Sequence, residues 1–261
     1  MAQYNPQLNQ MRKPDRSLST DGMRLWGAFF AASGIFGQAI LQNGILNVSG
    51  LSGTELLAVL DSRPEMMTVA SVALILQFAS YCAVPIFAAL MAEGLFKTHD
   101  FKAYAIRVAT LAVVCEIPYN LAFSGKLLDF ATRNPVFGLL LGMVAVWLLQ
   151  HYAETDSRGR NLLFTLLILG MGSLWALMLK IDCGVSLLWC VALLWKFRHN
   201  TVWQMMWGTA ACMLNFPAPL GLLALYAYNG KKGDWSRKLV YGWYPALLLA
   251  FGVAGLVLKL L

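Results

Sequence analysis

Glu93, Arg107 and Glu116 stand inside or at the edges of two apolar runs in "VPIFAALMAEGLFKTHDFKAYAIRVATLAVVCEIPYNLAF", residues 84–123. Ionisable groups in such surroundings are costly, and each calls for a partner or a function. An antiparallel hairpin through "KTHD" would bring Glu93 and Arg107 to similar depth. There each offsets the other's charge, or Arg107 is left to hold a phosphate or carboxylate. Glu116 follows Arg107 by nine residues, roughly 14 Å along a helix at about 1.5 Å per residue, which places it deep and away from a basic rim. Such a carboxyl is expected either to hydrogen-bond a neighbouring helix or to handle protons or face a substrate. Pro118 frees a backbone carbonyl nearby, so "EIPYN" gathers that carbonyl, the Glu116 carboxyl, the Tyr119 hydroxyl and the Asn120 amide in one turn. In hydrocarbon such a cluster is expected to line a cavity.

The elements that must position these groups are membrane helices. The chain is 59% hydrophobic and only 13% charged, about half the charge a soluble domain carries, which excludes a soluble fold. The expected class is all-α: a polytopic helical bundle with about eight or nine transmembrane segments, formed by residues 21–261 as one domain behind a mobile cytoplasmic leader, 1–20. Apolar runs at about 24–46, 67–95, 103–124, 136–153, 161–180 and 238–260 are long enough to cross a ~30 Å hydrocarbon layer. A shorter run fills 183–196, and 201–229 is interrupted by Pro217 and Pro219 in "NFPAP".

Reading 201–229 as two short, broken helices that cross or re-enter places five basic segments on one face. These surround Arg12 to Arg24, Lys97 to Arg107, Arg158 and Arg160, Lys196 and Arg198, and Lys231 to Lys238, against Arg63, Lys126, Arg133, Lys180 and Lys259 on the other. The asymmetry predicts a cytoplasmic N-terminus. The net charge of +7 then reflects topology and contact with anionic lipid heads and calls for no nucleic acid. "LSGTELLAVLDSRPEMM" (51–67) is expected to form a short interfacial helix on the outer face.

Gln38, Gln42 and Asn43 are expected to hydrogen-bond between helices. Trp203, Trp207, Trp235, Tyr241 and Tyr244 read as interface anchors. The five cysteines lie in apolar runs without a Cys-x-x-Cys pair and the three histidines sit near segment ends, so neither a disulfide framework nor a metal site is expected.

Residues 84–123 resemble the core pattern of the TraX family of bacterial membrane proteins, in which a Phe-Pro-Ile-Phe-like stretch precedes a Glu-Gly, a Thr, a Tyr, an Arg and a Ser-Glu-Ile-Pro run. "YNGKKGD" and "YGWYPALLL" resemble the Tyr-Asn-Gly-Lys and Tyr-Pro segments near the end of many members. The resemblance extends over about residues 24–258. It implies an acyltransferase of the bacterial cytoplasmic membrane, taking acetyl-CoA as cosubstrate and an amine or hydroxyl acceptor such as pilin, a lipid or a glycan. The matching positions are Pro85, Phe87, Glu93, Gly94, Thr98, Tyr104, Arg107, Glu116, Pro118, Asn229, Gly230, Lys231, Tyr241, Tyr244 and Pro245.

From these, Glu116 with Asn120 is expected at the reacting centre, and Arg107 and Lys231 at the acyl-CoA phosphates. Glu93, Tyr119, Asn229, Tyr241 and Tyr244 complete the binding set. Two departures stand out. Many members carry an Asp-His pair where this chain reads "FAASGIFGQAIL", and a His after the terminal Tyr-Pro where it has Ala246 and Leu247, so a histidine base is missing at both places. The competing readings are a proton-coupled transporter of a small solute, with Glu116 and the "NFPAP" break as its site, and a membrane scaffold without catalysis.

Overall fold

The structure, a computed structural model, describes residues 17–48, 63–153, 157–231 and 233–261. Most of the leader and most of the interfacial segment expected over 51–67 lie outside the described residues.

Helix α1, Thr20–Phe36, starts where Ser19 accepts a hydrogen bond from the Gly22 amide and passes into a wider π-helical stretch, Gly37–Leu46. α2 (Pro64–Ser80) and α3 (Ala83–Lys97) form one long arm with a turn at Tyr81 and Cys82. α4, Phe101–Ser124, is capped by the Asp100 carboxylate on the Ala103 amide and ended by Gly125 at a φ of 68°, a left-handed geometry that glycine adopts without strain. Then come α5 (Val136–Tyr152), α6 (Arg158–Met178), α7 (Gly184–Lys196), α8 (Thr201–Cys212), two short 3₁₀ turns through "NFPAP", α9 (Leu222–Tyr226) and α10 (Arg237–Leu260). No strand occurs among the described residues, only the isolated bridges Leu18–Tyr228 and Arg133–Ile181.

Five stretches are long and apolar enough to cross a membrane, namely 20–46, 64–97, 101–124, 159–178 and 238–260, while α5 and α7 are shorter apolar helices. The expectation of eight or nine crossings is therefore not met by length. The 12 residues of α8 reach about 18 Å, and α9 less than half of that, short of a ~30 Å layer. The 201–226 segment is a broken hairpin of short helices, in keeping with the re-entrant one of the two expected arrangements. Arg198 lies over the Phe96 ring at 5.1 Å, and Tyr228 bridges Leu18, so the segment leaves and returns at the end of the bundle where α1 begins and α3 ends.

The core centres on α7, which is buried on nearly every side, as an apolar helix without a polar face must be. Small residues let its neighbours approach: a Cβ at Gly142 of α5 would lie 2.7 Å from Val191. Polar side chains of the π stretch serve as expected. Asn43 donates to the Ala122 carbonyl at 2.8 Å and Gln38 to that of Phe123 at 3.3 Å, so both cap the last turn of α4.

Candidate functional site

Two contiguous chambers open inside the bundle. The inner one, about 430 Å³, lies at the end where α1, α4 and α10 begin and α3 ends. Glu93, Gly94 and Lys97 come from α3, Tyr104 and Arg107 from α4, Tyr241 from α10, and Arg24 from α1. The hairpin expected through "KTHD" thus exists, and it delivers Glu93 and Arg107 to one space.

Of the two arrangements expected for them, the mutual ion pair does not occur among the described residues. Glu93 forms its ion pair with Lys97, one turn along the same helix. Arg107 instead lies 5.8 Å from the centre of the Tyr104 ring, and no ion pair of Arg107 occurs among the described residues. Tyr104 in turn seats its hydroxyl over Gly94, where a Cβ would be 2.6 Å away. A glycine at 94 is what allows that ring so close.

The segment after α9 closes this end. Leu18 N–H donates to the Ala227 carbonyl and Asn229 N–H to that of Leu18, and the Thr20 hydroxyl donates to the Lys231 carbonyl at 2.7 Å. Asp21 pairs with Arg24 at 2.8 Å and accepts from the Asp234 amide. The Tyr228 phenol meets Thr20 at 2.9 Å, and burial together with a hydrogen bond to Glu93 raises its pKa. Asn229 and Lys231, both expected at the ligand, stand elsewhere. The Asn229 side chain accepts from the Lys231 amide to make the turn, and Lys231 is exposed beside the chamber rather than in its wall.

The outer chamber, about 190 Å³, is walled by apolar side chains together with Tyr81, Tyr119, Tyr244, Asp182 and Cys183. It shares Phe87, Leu111, Val136, Leu139, Val240 and Trp243 with the inner one. At this waist Phe87 and Trp243 stack at 5.8 Å and 21°. Tyr241 and Tyr244, read in sequence both as interface anchors and as part of the binding set, are chamber residues.

Glu116 lines neither chamber, and it is not without a partner. Arg133 donates to it at 2.8 Å and the Asn134 amide at 2.6 Å, so the carboxylate clamps the α4–α5 connection to α4. Asn120 is buried and its amide nitrogen has no partner among the described residues. It lines neither chamber. Of the "EIPYN" cluster, Tyr119 alone reaches a cavity, where its hydroxyl donates to Asp182 at 3.3 Å.

Asp182 is the residue that sequence reading passes over. It looks like an ordinary loop charge, yet in the break between α6 and α7, 179–183, Lys180 is exposed while Asp182 turns into the chamber wall. Cys183 also donates to it, at 3.5 Å. Burial pushes the Asp182 carboxyl up from its ordinary value, and the bonds from Cys183 and Tyr119 work against that rise.

The TraX protein family matches residues 56–255, most of the chain. The chain belongs to the TraX family. No curated protein and no solved structure matches it. Within this TraX protein the motif residues Glu93, Gly94, Tyr104, Arg107 and Tyr241, drawn from three helices, converge on the inner chamber.

Proposed function

We propose that this TraX protein is an integral membrane acyltransferase. It binds acetyl-CoA from the cytoplasmic side at the inner chamber and passes the acyl group to an amine or hydroxyl of pilin, a lipid or a glycan. The observation that carries the reading is the convergence of the family's Glu-Gly, Tyr, Arg and Tyr positions on one polar chamber where Arg107 stands without a carboxylate partner among the described residues. A guanidinium presented in that way suits the phosphates of a CoA ester. The basic ends of α1, α3, α4, α7 and α10 support a cytoplasmic inner face and N-terminus in the bacterial inner membrane.

Equilibrium binding of radiolabelled acetyl-CoA to the detergent-purified protein tests this. Saturable binding is expected, weakened at least about tenfold by Arg107→Ala, since a charge-assisted hydrogen bond contributes about 1.5–3 kcal/mol. Lys231→Ala should weaken it less. Absence of saturable binding to folded protein would contradict the proposal.

A second reading, a proton-coupled permease for a small solute, draws on the wall that the two chambers share, with the Glu93 and Asp182 carboxylates on its two sides. Uptake into vesicles that depends on a proton gradient, without any response to acetyl-CoA, would favour it.

A further inference from the structure

No histidine lines either chamber. His99 is exposed in the α3–α4 turn, His151 bonds the Trp147 carbonyl, and His199 packs edge-on against Phe96. Among the described residues two carboxylates line the joined chambers, Glu93 and Asp182. Glu93 is paired with Lys97 at the polar, phosphate-binding end. Asp182 stands at the far, apolar end. Its oxygens receive bonds from the Tyr119 hydroxyl, the Cys183 thiol and the Cys183 backbone amide, and no ion pair to it occurs among the described residues. An ionised carboxylate has about four lone-pair directions, so capacity remains for a substrate N–H or O–H.

The position of Asp182 is fixed from outside the chamber. The Asp182 amide donates to the Arg133 carbonyl at 2.9 Å and the Arg133 amide to the Lys180 carbonyl at 2.9 Å. Arg133 is itself held by Glu116. A carboxylate deep in the fold thereby fixes the turn that aims a second one, a division of labour found where a reacting group must be held in one geometry.

We infer that the outer chamber is the acceptor site of the transfer, taking an amine or hydroxyl on an apolar body, and that Asp182 is its acid–base residue, with Glu116 and Arg133 as positioning residues. The inference rests on the acyltransferase reading. In the step, the acceptor nitrogen or oxygen forms a bond to the acyl carbon while its proton passes to an Asp182 oxygen. The C–S bond then breaks, and the proton is delivered to the CoA sulfur. The products are acylated acceptor and CoA thiol, with no change of oxidation state. Tyr119 keeps the carboxylate oriented, and the Phe87–Trp243 waist separates the phosphates from the acceptor.

The test uses the full-length protein in detergent with acetyl-CoA and hexylamine, a small amine on an apolar chain, and measures N-hexylacetamide by mass spectrometry beside acetyl-CoA binding. Asp182→Asn, which keeps the shape of the side chain, should lower turnover about a hundredfold or more with acetyl-CoA affinity unchanged. Asp182→Glu should recover part of the rate. Parental turnover in Asp182→Asn would overturn the role of Asp182 and leave the acyltransferase reading standing. Acetyl-CoA binding with no acetylation of hexylamine by the parent would overturn the outer chamber as acceptor site. No acetyl-CoA binding at all would overturn both.

Discussion

At the scale of single residues, the division of labour between Glu116 and Asp182 makes distinct predictions. Glu116→Ala removes an ion pair and the Asn134 bond from a site where the carboxylate side chain is only 13% exposed and the arginine 31%. It should lower stability by about 2–3 kcal/mol, visible as an earlier thermal midpoint. Glu116→Gln should lower kcat more than it changes KM for acetyl-CoA and displace the acid limb of the pH–rate profile, because it acts through the aim of Asp182. A role confined to folding would leave that limb in place.

The limb itself belongs to Asp182. Burial raises this carboxyl above its ordinary value, and Tyr81, Tyr119, Tyr244 and Cys183 are the other titratable groups around it. Turnover should therefore rise with pH through a pKa above that of a free aspartate, and Asp182→Asn should lack the rise. Stability runs the opposite way. The folded protein holds this proton more tightly than the unfolded chain, so the contribution of Asp182 is present at acid pH and is lost as pH rises through the folded pKa. Glu93 and Arg107 could be located from sequence, because a short turn joins the two helices that carry them. Tyr119 and Asp182 are 63 residues apart, and no local pattern announces that contact.

At the scale of elements, close helix contact decides the shape of the chambers. Gly255 of α10 faces the π stretch so tightly that an added Cβ would lie 2.1 Å from the Ala39 carbonyl oxygen. Gly255→Val must push the helices apart and should cost about 1–3 kcal/mol, measured as a fall in thermal midpoint without added ligand. Gly94→Ala acts locally: it displaces Tyr104 from its seat, and the expected result is a higher KM for acetyl-CoA with little loss of fold. The caps Ser19, Asp100, Asn200 and Ser236 emerge from the structure, whereas helix identities were legible because apolar runs mark them. Their lengths across "NFPAP" were not, because prolines signal a break without saying whether the chain then proceeds or turns back.

At the scale of the whole molecule, the account requires two unlike ends. One carries the Leu18–Tyr228 bridge, Arg24, Lys97, Arg107 and Arg198; the other carries the Arg133–Ile181 bridge and the turns around Lys126 and Lys180. The reading that the first faces the cytoplasm and the second faces outward follows from charge alone, which is why sequence could propose it. The central claim is that the first end binds an acyl-CoA through Arg107. Its most direct test is the thermal unfolding midpoint of the purified protein across an acetyl-CoA titration, with Arg107→Ala alongside. The account predicts a saturable rise in the parent, about 2.7 kcal/mol of added stability at a hundredfold excess over the dissociation constant, which the variant loses. A parent whose midpoint does not move, or a variant that shifts as the parent does, would contradict it.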